Sequence, residues 1–257
     1  MHKLFILTAF VSILVACGNS ENAPKKEITV SAAASLRDAF GEIGKLCEER
    51  YKTKVNFNFA SSGVLQTQIE TGAPVDVFAS AGKIQMDTLA AKNLIVAETR
   101  KDFARNELVL IVPASRKSDD IVDFKSLPVN EKYKIAVGNL KTVPAGMYAE
   151  QTLTKFDLWQ KLQPQLIYAE DVRQVLQYVS RGETEAGIVF ASDLQSAKTE
   201  VRQIAVAPEN SHEAIVYPIA VVKSSENQTG ANQFIATVLS DEGQNVLKKY
   251  GFLTINN

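Results

Sequence analysis

The chain has 257 residues, 46% of them hydrophobic, and a formal net charge of −1. That length accommodates one large or two small domains, and the balanced charge leaves no basic field for nucleic acid and no Lys/Arg run to supply one. Two cysteines and two histidines cannot supply a disulfide framework or a side-chain metal cluster.

At the start, Lys3 precedes the apolar run Leu4 to Val15, which is too short for a transmembrane helix and fits an export signal. The run ends in Leu14-Val15-Ala16-Cys17, which resembles the lipobox of bacterial lipoproteins. The resemblance implies a signal peptide over 1–16, a lipidated Cys17 and a tether over 17–26; ordinary secretory cleavage nearby is the alternative. Loss of Lys3 with the leader takes the charge to about −2. Cys47 is then the one remaining thiol. It shares a helical face with Leu36, Phe40 and Ile43 and reads as buried and structural.

Beyond the tether, strand-like and helix-like runs alternate. Strands are expected at Ile28–Val30, Lys54–Phe59, Val75–Ala79, Glu107–Val112, Lys134–Val137, Leu166–Tyr168, Ala186–Phe190, Val201–Val206 and Ile215–Val222. Helices are expected at Leu36–Glu49, Val64–Glu70, Lys83–Ala91, Ala145–Lys155, Val172–Ser180 and Ala231–Leu239. Such alternation argues for an α/β architecture with largely parallel sheets.

Four of the helix starts carry chemistry, because the first N–H groups of a helix lack a carbonyl one turn back and attract anions. In Ala32-Ala33-Ala34-Ser35-Leu36, Ser35 falls at an N-cap, with Asp38 completing a Ser-x-x-Asp pattern. A hydroxyl has one proton and two acceptor sites, so Ser35 can cap and still donate outward. In Phe59-Ala60-Ser61-Ser62-Gly63 the arrangement repeats: Ser62 precedes a helix ending near Gly72, and Gly63 permits close backbone approach. Pro144 suits a first helical turn, leaving the N–H groups of Ala145 and Gly146 free. Asp171 is a good N-cap for a helix striped by Val172, Val175, Leu176 and Val179. Each start by itself is commonplace.

Taken in order, Ala-Ala-Ala-Ser-Leu, Phe-Ala-Ser-Ser-Gly with Gly72-Ala73-Pro74-Val75-Asp76, Val143-Pro144-Ala145-Gly146-Met147-Tyr148, Ala169-Glu170-Asp171-Val172-Arg173 and Ala186-Gly187-Ile188-Val189-Phe190 resemble the successive motifs of the bacterial molybdate-binding receptors of ABC importers. The resemblance runs through Lys249-Tyr250-Gly251-Phe252. It implies a type II periplasmic binding fold: two Rossmann-like α/β domains with mostly parallel sheets, joined by two crossover strands near Glu107–Val112 and Ile215–Ile219. Domain I would be 27–108 plus 218–257 and domain II 109–217. The implied ligand contacts are the side chains of Ser35 and Ser62 and the backbone amides of Ala145 and Val172. A fifth contact, a tyrosine hydroxyl in the family, falls on Phe190, which lines the pocket without a donor.

By the same resemblance the chain is no enzyme and carries no cofactor. It takes molybdate or tungstate as ligand, the metal arriving as an oxyanion without side-chain coordination. It would work as a monomer, periplasmic or at the cell surface, anchored to the membrane through Cys17 and serving an ABC permease. A hydrogen bond to a charged partner is worth ~1.5–3 kcal/mol, roughly 10- to 150-fold in affinity, so Phe190 bears on affinity and selectivity and keeps sulfate or another tetrahedral oxyanion as the alternative ligand. Four helix starts aimed at one point supply at most about two positive charges, the right order for a dianion. Fully ionised oxyanions offer only acceptors, whereas phosphate keeps a proton and favours a site with a carboxylate; none of the four contacts is one. A serine-dependent hydrolase, pairing Ser35 or Ser62 with His212, is the rival of a different class, but no Gly-x-Ser-x-Gly elbow is present. Arg37 and Arg173 are expected to face solvent or enter salt bridges, and Trp159 to pack.

Overall fold

The fold follows from how helices cover two separate sheets. The structure, a computed structural model, describes residues 27–255, so the signal segment 1–16, the tether 17–26 and Cys17 lie outside the described residues. In chain order β1 (Glu27–Ala33), α1 (Arg37–Tyr51), β2 (Lys54–Ala60), α2 (Ser62–Glu70), β3 (Val77–Ala79), α3 (Lys83–Ala91) and β4 (Lys101–Arg105) come first. They are followed by β5 (Leu108–Pro113), β6 (Ile135–Gly138), α4 (Pro144–Lys155), α5 (Trp159–Leu162), β7 (Leu166–Ala169), α6 (Val172–Ser180), β8 (Ala186–Phe190) and β9 (Val201–Val206). The chain closes with β10 (Val216–Val221), α7 (Gln228–Leu239), α8 (Asp241–Lys249) and β11 (Leu253–Thr254).

One sheet runs β11-β4-β10-β3-β1-β2 and the other β7-β6-β8-β5-β9. Both are mixed. The expected parallel pairing holds where helices make the crossover, for β2, β1 and β3 and for β7, β6 and β8. The remaining pairs, β3–β10, β10–β4, β4–β11, β8–β5 and β5–β9, are antiparallel. The reason is connectivity: β5 and β10 start at the crossings between the sheets and run away from them, beside β8 and β3, which run toward them. The chain leaves the first sheet after Arg105, enters the second at Leu108, and returns between Val206 and Val216.

The helices sit where their apolar stripes require. Leu36, Phe40, Ile43 and Cys47 are all fully buried, and Phe40 meets Phe103 and Phe234 with ring centroids 5.7 and 5.4 Å apart. Cys47 is a free thiol whose pKa burial pushes up, the inert state of a structural cysteine. In α6 the stripe Val172, Val175, Leu176 and Val179 is likewise buried, and so is Trp159. β5 is buried on every residue, as expected of a strand covered on both faces.

Besides the short α5, three elements escape the sequence pattern. β4 (KDFAR) buries only Phe103 and Ala104, α8 (DEGQNVLKK) buries Gly243, Val246 and Leu247, and β11 is two residues long. Their periodicity is too short to read, and their places are fixed by neighbours.

Candidate functional site

The chain leaves β1 through a tight turn, Ala34–Leu36, before α1 begins at Arg37. Ser35 is therefore inside that turn rather than at the cap: the N-cap of α1 is Leu36, and no side chain caps it. The Ser35 hydroxyl, 2% exposed, instead lies 3.0 Å from the hydroxyl of Tyr217. The expected Ser-x-x-Asp box does not form because Asp38 is drawn to Arg173, at 2.8 Å.

At the second start Ser62 is the first residue of α2 and Ser61 is the N-cap. The Ala81 N–H donates to Ser62 Oγ at 3.0 Å. A backbone N–H can only donate, so the Ser62 proton points elsewhere. Ser61 Oγ is buried and has no hydrogen-bond partner. Gly72 follows the C-cap Thr71 in the left-handed region, φ +86°, where glycine is the least strained residue.

The third and fourth starts come from the other sheet. Val143 is the N-cap of α4 and Pro144 its first residue. The Gly146 N–H donates back to the Val143 carbonyl at 2.9 Å, so of the two amides expected to be free only that of Ala145, which is buried, keeps no carbonyl one turn behind. Asp171 caps α6 through Gln174 N–H at 2.9 Å, leaving Val172 as the first, buried residue. With its Oδ1 committed to the cap, Asp171 is a helix cap first.

These starts meet. Ser35, Ser61, Ser62, Pro144, Val172 and Phe190 all line one narrow hollow with a cavity volume of about 10 Å³. That is far below the about 300–1,000 Å³ of pockets for drug-sized ligands and is room for about one water, so the walls stand close together. Ala145 is the residue after lining Pro144. Larger hollows open on the surface beside Asp241 and Gln244 and beside Asp76 and Ser225, but no such set of helix starts lines them. Among the described residues no group of three His, Cys, Asp or Glu side chains is placed to hold a bare metal ion.

Phe190, 1% exposed, presents its ring edge-on to Tyr217 and Tyr148, with centroids 5.8 and 6.3 Å away. It closes the hollow with carbon where the resemblance implied a hydroxyl. His212 has its Nδ1 2.7 Å from the Glu213 carbonyl and its ring against Tyr148, and does not line the hollow.

Two contacts hold the walls together across the two sheets. The Gly63 N–H donates to the Thr142 carbonyl at 2.8 Å, and a Cβ at Gly63 would lie 2.6 Å from Thr142 Cα. The close approach that Gly63 permits is thus to the opposite wall. Arg173, on α6, reaches Asp38 on α1 at 2.8 Å and the Ser35 carbonyl at 3.4 Å, and pairs with Asp193 at 2.9 Å. Asp193 has no exposed side-chain surface; burial pushes its carboxyl up to about 6, against the pull of Arg173. Arg37 is exposed and lies over the Phe59 ring at 4.8 Å.

Tyr217, Ser61 and Asp193 were not marked by the sequence pattern. Ser61 was masked by its neighbour, and the other two join the site through contacts far apart in the chain.

Comparison with known proteins follows the same outline. The model of the bacterial extracellular solute-binding protein family matches residues 28–253. The molybdate-binding protein ModA of Haemophilus influenzae is 38% identical over 244 residues, covering 94% of this chain and 95% of that one. ModA of Escherichia coli is 37% identical over 254 residues, 98% of each chain. The solved periplasmic molybdate-binding protein of Azotobacter vinelandii superposes with a TM-score of 0.77 over 89% of this chain and all of that one; at 23% identity it speaks to the fold.

Proposed function

The chain belongs to the bacterial extracellular solute-binding proteins, and from that premise we propose that it captures molybdate or tungstate outside the cytoplasm and delivers it to an ABC permease. The observation that carries this is the meeting of four chain turns, two from each sheet, around one small hollow. Their donors are neutral: the hydroxyls of Ser35 and Ser62 and the amides of Ala145 and Val172. Helix starts supply a field suited to a dianion without the tight grip of a buried Lys or Arg, which favours release to a transporter. The relatives named ModA bind molybdate by name, and their similarity spans this chain.

Two lobes, 27–108 with 218–257 and 109–217, would hinge at the two crossings and close over the ion, as binding proteins do. The direct Gly63–Thr142 and Arg173–Asp38 contacts support closure as the bound state. The motif ending in Cys17 supports a lipid anchor at the membrane, with the receptor acting as a monomer. Binding without turnover is the reading that fits the serines, since each faces a structural donor or a hydroxyl and His212 is engaged elsewhere.

Titration calorimetry with molybdate, tungstate, sulfate and phosphate tests the proposal. Strong heats are expected for molybdate and tungstate and weaker ones for phosphate, whose proton would oppose the Ser35 and Ser62 donors and find an acceptor only at Asp171, which also lines the hollow. Because Phe190 lacks the hydroxyl, sulfate is the competitor to watch. Absence of both heat and thermal shift with molybdate and tungstate would overturn the assignment, and turnover of an ester lost in Ser35→Ala would replace it with a hydrolase.

A further inference from the structure

Tyr217 lies on β10 beside the register shift at Pro218 and is completely buried. Its hydroxyl has two polar neighbours, Ser35 Oγ at 3.0 Å and Asn106 Nδ2 at 3.1 Å. The direction of each bond follows from groups that can only donate. The backbone N–H groups of Glu107 and Ser192 point at Asn106 Oδ1, at 3.0 and 3.4 Å, which fixes the amide with its oxygen toward them. Asn106 Nδ2 therefore donates, to Ser192 Oγ at 2.8 Å and to Tyr217 Oη.

Tyr217 then accepts one bond and still has a proton to place inside the core. Ser35 Oγ is the acceptor within reach. Reversing that bond would strand the phenolic proton, a buried unsatisfied donor. Burial holds the Tyr217 phenol well above its ordinary range, so the proton stays in place. Ser35 thus accepts from behind, and its own proton is left for the hollow that it lines.

We infer that Tyr217, set in direction by Asn106, is a positioning residue for ligand recognition that makes Ser35 a one-way donor toward the bound anion. The inference deepens the oxyanion reading of the hollow and rests on it. Ser62 is turned the same way by a separate device, the Ala81 N–H. With both hydroxyls donating inward, the site favours oxyanions whose facing oxygens carry no proton, since a protonated oxygen would meet a second hydrogen there. The relay also starts at a crossing, because Asn106 sits between β4 and β5.

A double-mutant cycle on the full chain separates this role from plain packing. Affinities for molybdate, tungstate and sulfate are measured by calorimetry for Tyr217→Phe alone, with Ser35→Ala, and with Ser62→Ala; melting without ligand checks that each variant folds. Tyr217→Phe is expected to weaken binding about 5- to 10-fold in the unaltered chain and in the Ser62→Ala background. In the Ser35→Ala background the same change is expected to cost less than about twofold. An equal loss with Ser35→Ala, or no loss in the unaltered chain, overturns the relay. Asn106→Ala approaches it from the other end, for the case that Tyr217→Phe does not fold. Its loss must also vanish with Ser35→Ala, and a persistent one overturns the relay. An unaltered chain silent to all three anions would instead overturn the oxyanion reading of the hollow, and the relay with it.

Discussion

Ser35 and Ser62 reach the same hollow by different means, and their substitutions should cost affinity rather than fold. On the proposed reading each Ser→Ala change would remove a hydrogen bond to a charged oxygen, worth ~1.5–3 kcal/mol, so a roughly 10- to 150-fold loss in molybdate affinity is expected by calorimetry. Phe190→Tyr should leave affinity unchanged or raise it, because the ring already lines the hollow and the change adds a donor; a large loss would mean that the fifth contact lies elsewhere. At this scale the turns that line the hollow are legible in the chain. A small hydroxyl residue at a strand-to-helix turn is a local pattern that marks Ser35 and Ser62, while Pro144 and Asp171 mark the helix starts at Ala145 and Val172. What such a pattern cannot carry is the partner of each hydroxyl. Ser35 is turned by a residue 182 positions away, so its apparent role as a cap dissolves once β10 is in place, and Tyr217 goes unmarked.

The elements follow the same logic. β8 and α6 end where their periodic residues end, because β8 is buried on every residue and α6 buries its whole apolar stripe. β4 and α8 are invisible because charged and other polar residues fill most of their positions and neighbouring strands and helices, not their own pattern, hold them. The pairing of the sheets is also a property of elements: alternation of strand and helix foretells the parallel halves, but not the antiparallel strands β5, β9, β10, β4 and β11. On α6, Arg173 offers a test with a defined pH dependence. The Asp193 carboxyl is raised from its ordinary value to about 6 in the folded chain. A raised carboxyl binds its proton more tightly when folded, so the stability it contributes is present at low pH and is lost as pH rises through about 6. Above that, Arg173 is what compensates the buried charge. Arg173→Met should therefore destabilise the chain by about 3 kcal/mol at pH 8 in urea unfolding. The loss should be smaller at pH 5 and largely recovered by adding Asp193→Asn. A loss independent of pH would show that the pair stabilises by packing alone.

For the whole molecule, the function rests on two sheets contributing to one hollow. On the proposed reading the first supplies the hydroxyls of Ser35 and Ser62 and the second the amides of Ala145 and Val172; Ser35, Ser62 and Val172 line the hollow. An ion held by both must link the two lobes, and the Arg173–Asp38 and Gly63–Thr142 contacts close the same seam. Tungstate is a direct probe, since tungsten scatters anomalously and marks its own position. A crystal grown with tungstate is expected to show one strong anomalous peak in the hollow, with its oxygens within hydrogen-bond distance of Ser35 Oγ, Ser62 Oγ and the amides of Ala145 and Val172. A peak elsewhere on the chain, or none at saturating tungstate, would contradict the assignment of this hollow as the oxyanion site.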